Sequence, residues 1–145
     1  MFGEFPNVSE VASDKVFVSN WNEQFKDEFI SQEDIYRSLA LKELSNVELV
    51  KGDIAETLPK YLKKHGEMRI SLLHIDTDVY EPCKIGLQCL YDLVVPYGIV
   101  VFDDYSTIEG ETKAVDEFFA DKTVRFHKFS LSHEKPVYIV KGKID

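Results

Sequence analysis

The sequence is poor in cysteine, in basic residues and in long apolar runs, and each shortage excludes a class of protein. Its two cysteines, Cys83 and Cys89, are six residues apart, which is neither a Cys-x-x-Cys redox motif nor a zinc knuckle, so we interpret them as reduced core thiols. Lysine and arginine number 17 against 26 acidic residues, and the resulting net charge of −9 argues against nucleic acid and anionic membranes as partners. The apolar runs are too short for a helix that crosses a bilayer.

The remaining composition and the start of the chain indicate a single cytoplasmic domain. A length of 145 residues with 44% hydrophobic residues suffices for one core, so we assign residues 1–145 to one domain. The segment after Met1 has neither the basic nor the apolar region of a signal peptide, and reduced cysteines are typical of the cytoplasm. Residues 1–30 combine turn-forming side chains with scattered aromatic residues, which predicts an irregular segment.

From Ser31 onward, helix-like and strand-like segments alternate. Ser31 and Asp34 have the spacing of a capping box, and the helix that they begin is predicted to end at Asn46. Strands are predicted at residues 47–50, 70–75, 99–102, 124–129 and 137–140, and further helices begin near Ala55, Pro82 and Thr112. This alternation predicts a three-layer α/β domain with a mainly parallel sheet.

Acidic residues follow two consecutive predicted strands at the point where each strand ends. Asp76 and Asp78 follow one strand, and Asp103 and Asp104 follow the next. Carboxyl ends of neighbouring parallel strands meet at one edge of a sheet, so three or four carboxylates are predicted to converge there. Such carboxylates repel one another unless a cation neutralises them, and oxygen ligands favour magnesium, calcium or manganese over zinc. Each acid taken singly also has a structural interpretation, and Asp78 is interpreted as the N-cap of the next helix.

A third predicted strand end carries Gly52 and Asp53, and two interpretations of this pair stay open. The glycine would let a ligand approach the backbone closely, while the carboxylate accepts a hydrogen bond from a donor such as an exocyclic amine. The same pair would also make a turn and an N-cap for the helix that follows. His74 lies inside an apolar strand and is interpreted as a hydrogen-bonded core residue.

Five segments together resemble the macrocin O-methyltransferase (TylF-type) family in their order and spacing. They are Val-Lys-Gly-Asp at 50–53, Glu-Thr-Leu-Pro at 56–59, Leu-His-Ile-Asp-Thr-Asp-Val-Tyr-Glu at 73–81, Gly-Ile-Val-Val-Phe-Asp-Asp-Tyr at 98–105 and the segment from Gly110 to Phe118. The resemblance covers nearly the whole chain. It implies a three-layer Rossmann-like methyltransferase fold, S-adenosylmethionine as methyl donor, Mg²⁺ as a further cofactor and a small sugar-containing molecule as acceptor.

The resemblance also implies roles for individual residues. Asp76 is similar to the acid that binds Mg²⁺ and acts as general base, and Asp103 and Asp104 are similar to the other metal ligands. Residues 1–30 resemble a lid over the cofactor, and His133 lies where family members bind the acceptor. The cofactor-binding residues that the resemblance implies are Gly52, Asp53 and Thr77.

The sequence departs from the family at its start. Family members carry a glycine-rich loop after their first strand and an acid after their second, and this sequence has neither, since no two of its seven glycines lie within five residues of each other. We therefore expect a truncated form that lacks the N-terminal strands and binds S-adenosylmethionine weakly. Missing strands would also leave an apolar sheet face bare, which predicts a homodimer or a larger assembly.

Three functions remain compatible with the sequence. The first is a magnesium-dependent sugar O-methyltransferase, and the second is a non-catalytic relative that binds or assembles without the cofactor site. The third is an unrelated α/β metal-dependent phosphatase or phosphotransfer domain. It ranks last because no lysine accompanies the acids Asp103 and Asp104 at their strand end.

Overall fold

The computed structural model describes residue 5 and residues 11–25, 30–131 and 135–142. Its helices are α1 (Ala12–Gln24), α2 (Gln32–Leu41), α3 (Ile54–Lys64), α4 (Tyr80–Leu90) and α5 (Glu109–Phe119). Its strands are β1 (Ile70–Ile75), β2 (Val94–Phe102), β3 (His127–Lys128) and β4 (Val137–Val140), and a 3-10 turn at Tyr91–Leu93 joins α4 to β2. Within the described ranges, no helix has the length and apolar character that a membrane crossing requires.

The four strands form one sheet in the order β1-β2-β4-β3. β1 pairs with β2 in parallel, whereas β4 is antiparallel to both β2 and β3. β1, β2 and β3 therefore run in one direction, and β4 returns between β2 and β3. The connection from β3 to β4 is too short for a crossover helix, so this pair is antiparallel. The α/β fold that the sequence predicts is confirmed, but of the three described strand pairings only that of β1 with β2 is parallel, so the sheet is mixed.

One face of the sheet carries the hydrophobic core. Leu73 and Ile75 of β1 and Val100 and Phe102 of β2 are buried on this face, where they join a cluster with the inner side chains of α4 and α5. α4 contacts both α3 and α5, so the three helices pack side by side. The predicted packing of these helices together is therefore present. A right-handed crossover accounts for α4, which connects the parallel strands β1 and β2.

The opposite face of the sheet is apolar and open in the described structure. The strand register aligns Leu72, Ile99 and Val140 in one row across β1, β2 and β4. These three side chains are 61%, 37% and 43% exposed. β1 also forms an edge of the sheet. The bare apolar face that the sequence predicts is therefore present in the described part of the chain.

Several predicted element boundaries are wrong, and the largest extension is that of β2, which begins at Val94 instead of residue 99. Residues 47–50 do not form a strand, and both Val47 and Val50 are more than one-third exposed, because an extended segment needs a neighbouring ladder to become a strand. The capping box at Ser31 is confirmed, but α2 ends at Leu41 instead of Asn46, since the chain turns at Glu43 with a φ of 56°. The strand predicted at 124–129 shortens to the two residues of β3, which pair with β4.

The prediction of an irregular segment over residues 1–30 is also wrong, because residues 12–24 form α1. The sequence of α1 has no regular apolar stripe, so periodicity does not reveal it, and tertiary contacts stabilise the helix instead. Its buried residues are Asp14 and Val18. Val18 packs in a small second cluster with Phe5 and Val79, against which Phe17 and Trp21 also lie.

Asp14 fixes α1 to the start of α4. Its Oδ2 accepts a hydrogen bond of 2.8 Å from the backbone N–H of Tyr80, 66 residues away. The N-cap residue of α4 is Val79, which has no side-chain acceptor, so Asp14 takes over the capping of this helix. A Cβ at Gly110 of α5 would collide with the Asp14 carboxylate, and only glycine allows this close approach.

Replacing Asp14 with alanine should lower the free energy of unfolding by about 1–3 kcal/mol, because the buried N–H of Tyr80 loses its acceptor. Urea unfolding followed by circular dichroism measures the loss. Asp121→Ala, which removes an exposed acid beyond α5, is the matched control and should change the stability by less than about 0.5 kcal/mol. Equal stabilities of the two variants would contradict the capping role of Asp14.

Candidate functional site

The carboxyl ends of β1 and β2 lie side by side and bring their acids together. The backbone N–H of Asp103 donates to the carbonyl oxygen of Ile75 at 2.9 Å, which extends the strand pairing past the end of β2. Carboxylate oxygens of Asp76, Asp78 and Asp104 lie within 4.8 Å of one another. We call these three residues together with Asp103 the acid rim. The predicted convergence of Asp76, Asp103 and Asp104 at one edge of the sheet is therefore present.

A second group of possible ligands shares Asp76. Ligand atoms of His74, Asp76 and Asp103 also lie within 4.8 Å of one another, and the His74 ring contacts Asp103 at 3.2 Å. The side chain of His74 is 48% exposed, because it points to the open face of the sheet. The interpretation of His74 as a core residue is wrong, although its predicted hydrogen bonding is present.

The interpretation of Asp78 as the N-cap of α4 is also wrong. The N-cap residue is Val79, and Asp14 supplies the acceptor for the first N–H of the helix. Asp78 has a φ of 60°, a left-handed conformation that Asp tolerates better than most residues. Its carboxyl joins the acid rim instead, next to Asp104.

Burial and charge repulsion act together on the acid rim. Asp104 is only 4% exposed. Partial burial, followed by the neighbouring carboxylate of Asp104 and that of Asp76, raises the pKa of Asp78 to about 7. The ammonium group of Lys135 contacts the carboxylate of Asp104 from the segment that leads into β4. The donor set of Asp76, Asp78 and Asp104 consists of carboxylate oxygens, which fits a hard cation such as Mg²⁺.

Glu111 lies behind the acid rim and positions it. This residue of α5 has no exposed surface, and its Oε1 accepts a hydrogen bond of 2.9 Å from the backbone N–H of Asp104. Burial raises the pKa of the Glu111 carboxyl to about 7, and the charge of Asp104 adds to this rise. The sequence analysis missed Glu111, because a single acid in a helix forms no motif and only the folded chain places it beside Asp104.

The acid rim opens into a cavity of about 670 Å³. Thr77 and Lys135 line the cavity beside the acids, and three aromatic residues of the N-terminal part, Phe5, Phe17 and Trp21, line it from another side. The Phe17 and Trp21 ring centroids are 5.9 Å apart, and the Phe5 ring meets both edge-on. We call these three residues the aromatic wall. A cavity of this size with a few charged groups suits a small polar ligand with an apolar face.

The predicted cofactor residues are divided between two places. Thr77 lines the cavity, whereas Gly52 and Asp53 are not among the residues that line it. Asp53 Oδ1 accepts a hydrogen bond of 2.8 Å from Ala55 N, which confirms its interpretation as the N-cap of α3. Gly52 has a φ of 135°, and a Cβ there would come within 2.7 Å of the Thr57 methyl group. Contact of Gly52, Asp53 and Thr77 with a cofactor stays a prediction. His133 lies outside the described residues.

Comparison with known proteins decides the family. Residues 3–131 match the family model described as macrocin O-methyltransferase (TylF). The chain belongs to the TylF family. It is therefore a member of a methyltransferase family that depends on S-adenosylmethionine, and the resemblance seen in the sequence is confirmed.

Solved structures of O-methyltransferases have the same fold. The O-methyltransferase NovP is 25% identical, with a TM-score of 0.82 over 98% of this chain and 57% of its own. CalS11, a TDP-rhamnose 3′-O-methyltransferase of calicheamicin biosynthesis, is 29% identical, with a TM-score of 0.60 over 66% of this chain and 42% of its own. The chain thus spans about half the length of these two neighbours. No curated protein matches it.

Replacing Glu111 with glutamine should remove a pH dependence of stability. The folded-state pKa of Glu111 is raised from 4.5 to about 7, so between these values the folded chain keeps a proton that the unfolded chain has lost. The free energy of unfolding therefore falls as the pH rises through this window, by up to about 3 kcal/mol in total. The amide oxygen of the substituted side chain keeps the bond to Asp104 N. The free energy of unfolding of the variant should therefore fall less steeply with pH, and the variant should be the more stable protein above about pH 7.

Urea unfolding at steps between about pH 5 and pH 8 measures this difference. Glu67→Gln, at an exposed glutamate of the loop before β1, is the control. Its free energy of unfolding, plotted against pH, should run parallel to that of the unchanged protein. A Glu111→Gln profile that also runs parallel would contradict the raised pKa.

Proposed function

We propose that this chain is a magnesium-dependent O-methyltransferase that transfers the methyl group of S-adenosylmethionine to a hydroxyl of a sugar or polyol. The observation that carries the proposal is that the acid rim and the aromatic wall line one cavity in a chain of the TylF family. The structural neighbour CalS11 is named for methylation of TDP-rhamnose, which is a sugar nucleotide. The family assignment favours methyl transfer over the phosphotransfer hypothesis.

Asp76, Asp103 and Asp104 are the proposed ligands of Mg²⁺, and Asp78 lies close enough to add an oxygen. When bound, the cation would lower the pKa of an acceptor hydroxyl and stabilise the oxyanion. Glu111 holds the backbone of Asp104, so that the ligand oxygens stay in place without a cation. The carboxylates of Asp76, Asp78 and Asp104 lie within 4.8 Å of one another, and Asp103 lies as close to Asp76, so a divalent charge at this rim would relieve their repulsion, which supports the proposal.

Asp76 is the proposed general base. Its exposed carboxylate lies at the junction of both ligand groups and lines the cavity, so that one oxygen can face the acceptor while the other faces the cation. It would accept the hydroxyl proton at a carboxylate oxygen as the acceptor oxygen forms a bond to the methyl carbon. The bond from this carbon to the sulfonium sulfur would break in the same step, and S-adenosylhomocysteine would leave. A positioned base contributes about 10²–10⁴-fold to such a step. Placement of the acceptor beside the methyl donor would increase the rate further, because the two reactants are held in the geometry of the reaction.

The aromatic wall is the proposed surface for the sugar ring. A pyranose presents apolar C–H groups on one face and hydroxyls at its edge. The rings of Phe5, Phe17 and Trp21 offer an apolar surface in the same cavity as the acids. A sugar bound between them would place its hydroxyls at the acid rim and exclude water from it. We propose that residues 1–30 cover the cavity in a single domain of residues 1–145; Phe5, Phe17 and Trp21 are the described residues of this segment that line it.

Gly52, Asp53 and Thr77 are the proposed contacts to S-adenosylmethionine. The bond from Ala55 N uses one oxygen of Asp53, and a carboxylate with two oxygens retains acceptor capacity for an exocyclic amine. Thr77 lies inside the cavity between Asp76 and Asp78. The sequence has no glycine-rich loop for the methionine end, so we expect these 145 residues alone to bind the cofactor weakly.

A non-catalytic binding or assembly module is the second candidate. The chain aligns over 98% of its length with 57% of NovP, so the shared fold alone does not carry over the activity of that longer enzyme. A chain of this kind would keep the acid rim and the aromatic wall, and would bind a cation and a sugar without transferring a methyl group.

Methyl transfer from labelled S-adenosylmethionine to TDP-rhamnose separates the two candidates. With MgCl₂ the unchanged protein should transfer label, and Asp76→Asn should lower the rate at least ~100-fold because the base is lost. A chelator should have a similar effect. Asp121→Asn, an equal change outside the cavity, is the control and should keep the rate. Stabilisation by Mg²⁺ in melting experiments without any transfer of label would favour the non-catalytic module.

We also propose a homodimer that covers the open sheet face. Leu72, Ile99 and Val140 form an uncharged aliphatic row, and β1 beside it is an edge strand that carries no lysine or proline to block pairing. Two copies related by a twofold axis would place equal rows against each other or pair their β1 strands. The net charge of −9 opposes this association, and the apolar row favours it.

Leu72→Lys should convert the dimer to a monomer, because a lysine on an edge strand blocks pairing and a buried charge is costly. Light scattering coupled to size-exclusion chromatography measures the molar mass. Leu41→Lys, at a leucine that is 82% exposed at the end of α2, should leave the dimer intact. A stable 16.7 kDa monomer of the unchanged protein at micromolar concentration would rule out the dimer.

A further inference from the structure

A lysine occupies the side of the acid rim that a cation would approach. Four of the described residues that line the cavity are acidic, namely Asp76, Asp78, Asp103 and Asp104, and Lys135 is the basic one among them. The Lys135 ammonium contacts Oδ1 of Asp104, the most buried member of the rim. The cavity therefore contains a positive charge supplied by the chain itself, at the carboxylate that is proposed to bind Mg²⁺.

We propose that Lys135 is an internal counterion of Asp104 that a divalent cation must displace, so that this lysine sets the affinity of the acid rim for cations. The inference rests on the proposed function in one respect, which is that the rim binds a cation. It adds a residue that competes with the cation and that takes no part in holding it.

Competition follows from the shared carboxylate. Magnesium binds carboxylate oxygens at about 2.0–2.1 Å, so a cation on Asp104 would lie within a few ångströms of the ammonium group that touches the same carboxylate. Two positive charges at such a distance repel strongly where burial limits solvent screening, and Asp104 is only 4% exposed. Either the ammonium group leaves or the cation binds weakly.

The lysine is the partner that can move. Asp104 is held by Glu111 through its backbone N–H, and its neighbour Asp103 is held by the strand pairing through Ile75. The Lys135 side chain is 44% exposed, and a flexible four-carbon stem carries its ammonium group, which can therefore turn into solvent. Cation binding would thereby release the contact that ties the segment before β4 to the rim.

Two opposite effects of one substitution distinguish this role from a structural one. Without a cation, Lys135 neutralises part of the repulsion within the rim and so stabilises the fold. With a cation, the same charge opposes binding. Lys135→Met keeps the apolar stem and removes the charge, so it should lower the melting temperature in a chelator and at the same time tighten cation binding.

The test is a calorimetric titration of the whole chain with MgCl₂ and with MnCl₂. Lys135→Met should bind both cations on the order of tenfold or more tightly than the unchanged protein. Lys128→Met, at an exposed lysine of β3, is the matched loss of charge outside the cavity and should bind with nearly unchanged affinity. Equal or weaker binding by Lys135→Met would overturn the proposed competition while leaving the cation site intact.

A second measurement tests the ion pair without any cation. In a chelator, Lys135→Met should lower the melting temperature of the unchanged protein but should have little effect in an Asp104→Asn background, because the pair is already broken there. An equal decrease of the melting temperature in both backgrounds would overturn the ion pair between Lys135 and Asp104. Absence of calorimetric binding in all variants, Lys135→Met included, would overturn the cation site of the proposed function and the competition with it.

Discussion

Repulsion among the carboxylates at the ends of β1 and β2 is the constraint on which the rest of the site depends. Parallel pairing of the two strands places Asp76 and Asp103 at neighbouring strand ends, and the bond from Asp103 N to Ile75 prevents their separation. The burial of Asp104 makes the repulsion stronger because solvent screens it less. The folded chain responds in two ways. The pKa of Asp78 is raised to about 7, and the ammonium group of Lys135 lies against Asp104.

Two further buried acids lie near the rim, and neither of them cancels its negative charge. Asp14 and Glu111 are both buried, and each binds a main-chain N–H, that of Tyr80 at the start of α4 and that of Asp104 in the rim. Hydrogen-bond donors of this kind fix the positions of carboxylates without cancelling a full charge. The result is a rigid group of oxygens with a surplus of negative charge, which favours a divalent cation and disfavours anions. Repulsion among these oxygens lowers the stability of the fold at the acid rim, as is common at functional sites.

The sequence predicts those parts of the structure that depend on local pattern. The apolar strands β1 and β2, the capping box at Ser31 and the convergence of Asp76, Asp103 and Asp104 follow from periodicity and from the direction of parallel strands. The features that it misses all depend on contacts between distant residues. α1 has no apolar stripe and is held by Asp14, and the strand predicted at residues 47–50 has no neighbour to pair with. The positions of Glu111 and Lys135 beside the rim likewise have no local signal, because each residue is an ordinary polar side chain until the fold brings it to Asp104.

The open sheet face and the acid rim are connected through β1. This strand carries Leu72 on its exposed face, Ile75 in the core and Asp76 at its end. An edge strand that pairs on one side alone is held less firmly than a central strand, since half of its main-chain groups have no strand partner. Whatever covers Leu72 therefore also limits the movement of Asp76, the residue shared by both ligand groups. Because cation affinity depends on the exact positions of the ligand oxygens, the proposed covering of this face would also change the strength of the proposed cation site.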